Sequence, residues 1–310
     1  MAYWQWGNPD SDHVIICVHG LSRQGRDFDV LAKALCDATA LRPGGVRVVC
    51  PDVVGRGESD WLSDPMGYQI PFYVADMLAL LASLQARAPI STLDWVGTSM
   101  GGLIGIVVCG QFNALLALAD NVSTASTAST AASPATSIKA IPYPRKLVLN
   151  DVGPAIQWQA ILRIGSYLGQ AGHFNTLKEA ADAMWAISSG FGPHTPEQWL
   201  ALSKHMTRPV SADDDKLRLH YDPAIALPFK QASEASTKEG EAMLWHLYDQ
   251  ISAETLLLRG MHSDLLSPET AHAMTQRGPR ARLVEFPGVG HAPTIIADDQ
   301  VAAVVGFLLG

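Results

Sequence analysis

The sequence predicts an α/β fold in which helices cover both faces of a mostly parallel β-sheet. Short apolar runs without polar alternation recur along the chain, as is typical of strands buried on both faces. Segments with helical spacing lie between most of these runs, and strands that alternate with helices indicate a parallel sheet with right-handed crossovers. The predicted strands are Val14–Val18, Val46–Cys50, Leu93–Val96, Lys146–Leu149, Thr255–Leu258 and Ala281–Phe286.

The helices expected in the first half of the chain follow from the spacing of apolar residues. The segment Asp27–Ala40, for example, has Phe28, Leu31 and Leu35 on one helical face. Two further segments keep an apolar face over several turns. The predicted helices are Asp27–Ala40, Tyr73–Ala86 and Met100–Ala119.

The alternation of strands and helices stops after Asp151 and returns at Thr255. The intervening block is helical in pattern without convincing strands, and its predicted helices are Ile156–Gly169, Leu177–Ser188, Pro196–His205 and Glu239–Ile251. A helical block inserted between two strands is most simply a cap over one edge of the sheet. We therefore expect a core formed by residues 1–153 and 253–310, with residues 154–252 as a helical cap.

Residues Ser123–Ser137 are almost entirely Ser, Thr and Ala. Such a composition buries too little apolar surface to offset the entropy lost on ordering. The sequence predicts a mobile surface loop here, between the helix that follows Ser99 and the next strand.

Composition narrows the classes of function. The chain has 310 residues, 48% of them hydrophobic, and a net charge of −8 with its 22 basic residues scattered. Nucleic-acid binding calls for clustered Lys and Arg, so we do not expect it.

No signal peptide and no apolar run long enough for a membrane span are visible. The four cysteines form no C-x-x-C pair. Free thiols are typical of a reducing compartment, so we expect a cytoplasmic protein.

The strongest chemical signal is a G-x-S-x-G motif that contains Gly97, Ser99 and Gly101. It lies between the strand Leu93–Val96 and the apolar helix starting at Leu103. The small residues leave room for a tight strand-to-helix turn, which exposes the serine hydroxyl above the sheet. The helix N-terminus favours the negative charge that develops there. We expect Ser99 to be a nucleophile.

A serine hydroxyl needs a base to take its proton. His291 lies on a Gly-rich loop directly after the strand Ala281–Phe286, whereas His205 and His246 lie in helical patterns. Position and chain order favour His291 over the common alternative of a surface histidine.

A carboxylate must hold the histidine in the correct tautomer. Asp264 follows the strand Thr255–Leu258, and parallel strands end at the same edge of a sheet. The alternative is a helix cap, but Ser267 fills that role better. The sequence thus predicts a triad of Ser99, Asp264 and His291, in the order typical of this motif.

The tetrahedral intermediate needs two backbone N–H donors. Met100, which follows the nucleophile, is one expected donor, and Leu21, in the loop after the strand Val14–Val18, is the other. His19 competes with His291 in principle, but we expect it to brace this loop.

The motifs together resemble those of the α/β-hydrolases over nearly the whole chain apart from the cap and the Ser/Thr/Ala stretch. The segments that carry the resemblance are His19-Gly20, Pro51–Ser59, Gly97–Gly102, Gly260–Asp264 and Gly290-His291. The resemblance implies an eight-stranded sheet with a lid inserted after the sixth strand. Dehalogenases and epoxide hydrolases of this fold have Asp at the position of Ser99, so their chemistries are not expected.

Hydrolysis of a small or medium carboxylic ester is the expected reaction, without cofactor or metal, on a small-molecule substrate. A carbon–carbon bond hydrolase of a keto acid is an alternative, in which Arg23 or Arg163 would bind the substrate carboxylate. Lactone, thioester or amide hydrolysis and perhydrolysis remain open because the cap selects the acyl group. A non-catalytic ligand-binding protein on the same fold is the alternative of another class. The oligomeric state stays open.

Specificity is expected to reside in the cap. Its aromatic residues are candidates for the mouth of the site, with Trp185 as a substrate-binding candidate. The competing interpretation is that they pack the core of the cap. They are Trp158, Trp185, Phe191 and Trp199.

Overall fold

A computed structural model describes residues 1–112, 114–115, 141–170, 172–211 and 214–310. The predicted mobile loop Ser123–Ser137 and the end of the predicted helix Met100–Ala119 lie outside these ranges.

Ten strands are present in the described residues. They are β1 Tyr3–Gly7, β2 His13–Val18, β3 Arg47–Pro51, β4 Thr92–Thr98, β5 Lys146–Asn150, β6 His173–Phe174, β7 Thr207–Ser211, β8 Asp214–Leu219, β9 Glu254–Gly260 and β10 Arg282–Phe286. Seven of them form the main sheet, in the order β1-β3-β2-β4-β5-β9-β10. Only β1 runs antiparallel to its neighbour. The predicted α/β class, with a mostly parallel sheet, is confirmed.

Two details of the predicted sheet differ from the structure. The described residues contribute seven strands to it, against the eight that the family resemblance implies. The strand β1 was also missed. It lies at an edge of the sheet and its side chains are half-buried or exposed, so it lacks the continuous apolar run of the central strands.

The helices that pack around these strands have the following bounds in the described residues. They are α1 Asp29–Thr39, α2 Ile70–Arg87, α3 Met100–Gly110, α4 Trp158–Tyr167, α5 Leu177–Ser188, α6 Pro196–Lys204, α7 Ala226–Lys230, α8 Glu234–Asp249, α9 Pro268–Gln276 and α10 Asp298–Leu309. The predicted helices in the described ranges are present, with ends shifted by a few residues.

The two faces of the sheet carry two separate apolar cores. On β2, Val14 and Ile16 pack into a cluster that includes residues of α2 and α3. The intervening Ile15 and Cys17 pack into the other cluster, with residues of α1 and α10. Because successive side chains of a strand point to opposite faces, a sheet covered on both sides needs apolar residues at every position. This explains the unbroken apolar runs.

The segment between β5 and β9 contains α4–α8 and a small antiparallel sheet in the order β6-β8-β7. The prediction that this segment is helical without strands was therefore wrong in part. The strands β7 and β8 are short and half-exposed. β7 contains a proline, and four of the six residues of β8 are charged, so their pattern resembles a polar loop.

The carboxyl ends of the parallel strands lie at one edge of the main sheet, where loops from several strands meet. Ligand sites of open α/β sheets lie at this edge.

Candidate active site

The turn between β4 and α3 holds Ser99 in an unusual backbone conformation, with φ at 50°. A Cβ on Gly101 would lie 2.0 Å from the carbonyl oxygen of Val18, and a Cβ on Gly97 would lie 2.3 Å from that of Gly101. Both positions therefore require glycine. The turn that the G-x-S-x-G motif predicts is present, and the sheet packs tightly beneath the serine.

The loop after β10 carries His291 to this serine. The Oγ of Ser99 lies 3.0 Å from the Nε2 of His291, within hydrogen-bond distance. The Nδ2 of Asn150, the last residue of β5, donates to the oxygen of Pro293 at 2.7 Å and to Thr98 Oγ1 at 3.0 Å. This amide ties the histidine loop to the end of the nucleophile strand. The structure brings Ser99 and His291 together as the sequence predicts.

The carboxylate that faces the histidine belongs to Asp151 and not to Asp264. The Nδ1 of His291 lies 2.7 Å from Asp151 Oδ2. The Ser263 hydroxyl donates to the same oxygen at 2.6 Å, and the Gly260 amide donates to Asp151 Oδ1 at 2.9 Å. The side chain of Asp151 is fully buried. A buried carboxylate that is fixed by several donors can hold the imidazole in one orientation.

Asp264 instead forms a two-pronged ion pair with Arg163 of α4. The guanidinium Nε and Nη2 lie 2.6 and 2.8 Å from the two carboxylate oxygens. Both side chains are well exposed, at 39% for Arg163 and 47% for Asp264. The expectation that Asp264 orients His291 is therefore contradicted by the geometry.

The physical reason is that two neighbouring strands end at the same height. Asp151 directly follows β5, which lies between β4 and β9 in the sheet, and its amide donates to the oxygen of Leu258 at 2.9 Å. Gly260 at the end of β9 and Ser263 in the following loop thus support Asp151, while Asp264 pairs with Arg163. An aspartate directly after a buried strand was the sequence signal available for Asp151. The rule that favoured Asp264, that parallel strands end at the same edge of the sheet, applies equally to Asp151.

The amides expected to bind an oxyanion border this group. The N–H groups of Leu21 and Met100 have no hydrogen-bond acceptor among the residues that the structure describes. Unpaired backbone donors beside a serine hydroxyl are available to a developing negative charge.

His19 braces the loop that carries Leu21, as predicted. Its Nδ1 lies 2.7 Å from the oxygen of Gly20, and its Nε2 accepts from the Val53 amide at 2.9 Å. Burial, with the charges of Arg56 and Arg23, lowers the pKa of His19 to about 3. His19 is therefore neutral near pH 7, with Nδ1–H as donor and Nε2 as acceptor.

A small cavity of about 110 Å³ lies above Ser99 and His291, between the core loops and the inserted segment. Arg23 lines it and is itself paired with Asp27, at 2.6 and 2.7 Å. The inserted segment contributes mainly apolar side chains, including Ile164, Met184 and Phe191.

The other two substrate-binding candidates lie elsewhere. Arg163 is held in its ion pair on α4, outside the residues that line the cavity. Trp185 packs against Trp199 with ring centroids 5.0 Å apart, and His194 and Phe191 join the same aromatic cluster. For Trp185 and Trp199 the cluster fits the alternative interpretation of packing within the inserted segment, whereas Phe191 also lines the cavity.

Comparison with the sequences of known proteins identifies the family of the chain. A family model described as the alpha/beta hydrolase family matches residues 15–305. The chain belongs to the alpha/beta hydrolase family. This hydrolase is 42% identical over 311 residues to a 3-hydroxybutyrate-oligomer hydrolase of Cupriavidus necator, covering 100% of this chain and 93% of the relative.

Solved structures agree with this membership. A crystal structure of an alpha/beta hydrolase from Novosphingobium aromaticivorans is 31% identical, with a TM-score of 0.72 over 99% of this hydrolase and 92% of that chain. A crystal structure from Rickettsia typhi is 27% identical, with a TM-score of 0.75 over 99% and 90% of the two chains. Within the described ranges, this hydrolase has no helix that combines the length and apolarity needed to span a membrane.

Proposed function

We propose that this enzyme hydrolyses small or medium carboxylic esters through an acyl-enzyme formed on Ser99. The observation that carries the proposal is the continuous chain of contacts from Asp151 through His291 to Ser99, at 2.7 and 3.0 Å. A nucleophile within reach of a base, with the base oriented by a carboxylate, is the arrangement that acyl transfer requires.

In the proposed reaction, Ser99 Oγ attacks the ester carbonyl carbon while its proton passes to His291 Nε2. The carbonyl oxygen becomes an oxyanion and accepts hydrogen bonds from the Leu21 and Met100 amides. The tetrahedral intermediate collapses, the carbon–oxygen bond to the alcohol breaks, and the alcohol leaves with the proton held by His291. Water then attacks the acyl group by the same route, which releases the acid and restores Ser99. Asp151 stabilises the imidazolium in both halves.

The substrate class that we propose is short esters of 3-hydroxybutyrate. The relative from Cupriavidus necator bears the name 3-hydroxybutyrate-oligomer hydrolase, and its similarity extends over the whole chain. The cavity supports the same class, because about 110 Å³ lined mostly by apolar groups suits a short acyl chain. Ligand sites for larger molecules have volumes of about 300–1,000 Å³.

We further propose that residues 154–252 act as a cap that selects the acyl group. Side chains of this segment close the cavity opposite Ser99, among them Ile164, Met184 and Phe191. Neither arginine expected to bind the carboxylate of a keto acid is free in the described residues, since Arg23 pairs with Asp27 and Arg163 with Asp264. Ester cleavage therefore fits the site better.

For the location of the reaction we propose the cytoplasm. All four cysteines are free thiols and three of them are buried, which suits a reducing compartment. Detection of the native enzyme in the periplasmic or secreted fraction would contradict this assignment.

The test compares wild type with Ser99→Ala on 3-hydroxybutyrate dimer and trimer and on p-nitrophenyl esters of increasing chain length. Loss of the nucleophile should lower kcat about 10⁴-fold or more. We expect wild type to cleave the oligomers and the short acyl esters best. Equal activity of the two proteins would reject Ser99 as nucleophile. Activity on nitrophenyl esters without cleavage of the oligomers would reject only the substrate class.

A further inference from the structure

Arg56 is a fully buried cation beside the loops that carry the Leu21 and Met100 amides. Its Nε donates to the oxygen of Leu21 at 2.8 Å, and its Nη2 lies 3.7 Å from the sulfur of Met100. Its Nη1 donates to the oxygen of Val54 at 2.7 Å and to the hydroxyl of Tyr73 at 3.0 Å. One side chain therefore contacts both residues of the expected oxyanion site and anchors them to α2 and to the loop after β3.

The charge of Arg56 has no carboxylate within 4.0 Å among the residues that the structure describes. The rings of Tyr68 and Tyr73 lie 5.6 and 5.1 Å from its guanidinium carbon instead. Arg259, also buried, differs in that it pairs with Glu285 at 2.7 Å. Buried cations are normally paired because desolvation of an unpaired charge is costly. The cost of burying Arg56 without a carboxylate partner therefore suggests that its positive charge has a role at this place.

We infer that Arg56 is a positioning residue for the oxyanion hole, holding the Leu21 loop and the Met100 turn together while its uncompensated charge favours the oxyanion. The inference rests on the proposed acyl-transfer function of Ser99. It adds a long-range electrostatic contribution to the two amides, which the sequence motifs alone do not indicate.

Two physical effects act through these contacts. The hydrogen bond to the oxygen of Leu21 fixes the peptide plane that follows Leu21, and the Met100 contact holds the start of α3. Both contacts restrain the residues that carry the two N–H groups before the substrate arrives, and oxyanion stabilisation requires preorganised donors. The positive charge also acts in a buried region where screening is weak, so it favours the negative transition state over the neutral ester. Burial is the main cause of the lowered pKa of His19, and the Arg56 charge adds to it in the same direction.

The experiment compares Arg56→Met, Arg56→Lys and Tyr73→Phe by kcat, KM and inhibition by an alkyl boronic acid. Ser99 would form with this inhibitor a tetrahedral adduct bearing a negative charge. We expect Arg56→Met to lower kcat by about 10- to 100-fold, less than the roughly 10²- to 10³-fold loss on removal of a direct oxyanion-hole donor, because Arg56 acts through the donors. KM should change by less than about threefold, and boronate affinity should fall by the same factor as kcat/KM. Arg56→Lys should recover part of the loss because it keeps the charge.

Tyr73→Phe is the matched control, since it removes one hydrogen bond of Arg56 and leaves the contacts to Leu21 and Met100. Its kcat should stay within about threefold of wild type. Thermal unfolding and labelling of Ser99 by a fluorophosphonate separate misfolding from a catalytic effect. If wild type is not labelled, the proposed function fails. If wild type is labelled and folded Arg56→Lys and Arg56→Met keep wild-type kcat and boronate affinity, the role of Arg56 is rejected. If Arg56→Met does not fold, the test rests on Arg56→Lys. A loss of kcat in Arg56→Lys without a matching loss of boronate affinity also rejects the role of Arg56.

Discussion

The loop after β5 and the loop after β9 each carry an aspartate at the same edge of the sheet, but the two side chains have opposite surroundings. Asp151 is fully buried and accepts hydrogen bonds from Gly260 and Ser263 while facing His291. Asp264 is 47% exposed and pairs with an arginine on α4. The last residue of β9 contributes a backbone amide to the histidine site and the loop after β9 contributes a serine, while the aspartate of this loop joins the core to the inserted segment.

This difference shows that position at a strand end is not sufficient to bring a carboxylate to His291. The proposed catalytic carboxylate is the one that is buried and accepts several hydrogen bonds. A carboxylate that shares its charge with an exposed arginine contributes little to an imidazole elsewhere.

The largest expected effect separates the two aspartates directly. Asp151→Asn keeps the shape of the side chain but removes the charge that orients and stabilises the imidazolium, so kcat should fall about 10⁴-fold. Asp264→Asn is the matched change in the other loop, and its kcat should stay within about threefold of wild type. Steady-state kinetics on a short p-nitrophenyl ester measures both. The reverse ranking of the two variants would assign the triad to Asp264.

A smaller effect is expected from the hydroxyl that supports Asp151. Ser263→Ala removes a hydrogen bond to a charged oxygen, a contact worth about 1.5–3 kcal/mol. Part of this loss should appear as a decrease in kcat on the order of tenfold, because Asp151 is then held less firmly against His291. Kinetics together with thermal unfolding measures the two effects.

Ser267 supplies the control for that variant. Its hydroxyl accepts from the Thr270 amide at 3.1 Å as the N-cap of α9, in the same connection between β9 and α9. Ser267→Ala should lower the free energy of unfolding by about 1 kcal/mol and leave kcat unchanged. If both serine variants reduce kcat equally, the effect of Ser263 is general loosening of the loop and not support of Asp151.

The smallest expected effect concerns the ion pair of Arg163 and Asp264. Arg163→Met should lower the free energy of unfolding by about 1 kcal/mol or less, since both partners are exposed to solvent. A double-mutant cycle with Asp264→Asn in urea measures the coupling, which should weaken further at high salt. A coupling of several kcal/mol would mean that this pair is a major structural link between the core and residues 154–252.

Much of the site follows from local rules. The G-x-S-x-G turn needs glycine where a Cβ would meet a carbonyl oxygen, so Ser99 could be identified from sequence. His291 could be identified because it lies on a Gly-rich loop that directly follows a strand. Arg56 could not be assigned, because its contacts to Leu21 and Met100 join segments that are 35 and 44 residues away along the chain.

The sequence by itself determined the α/β class, the positions of the parallel strands and the serine turn, because these depend on local periodicity and on the size of single residues. Only the tertiary structure decided which aspartate faces His291. An aspartate follows each of two neighbouring strands, and the hydrogen-bond donors around each carboxylate come from other segments of the chain. The small sheet within residues 154–252 likewise forms by pairing between separate segments. Its strands are half-exposed and polar, so their sequence has no hydrophobic pattern that predicts this pairing. The closure of the cavity over Ser99 depends on the same long-range packing, because its walls come from both parts of the chain.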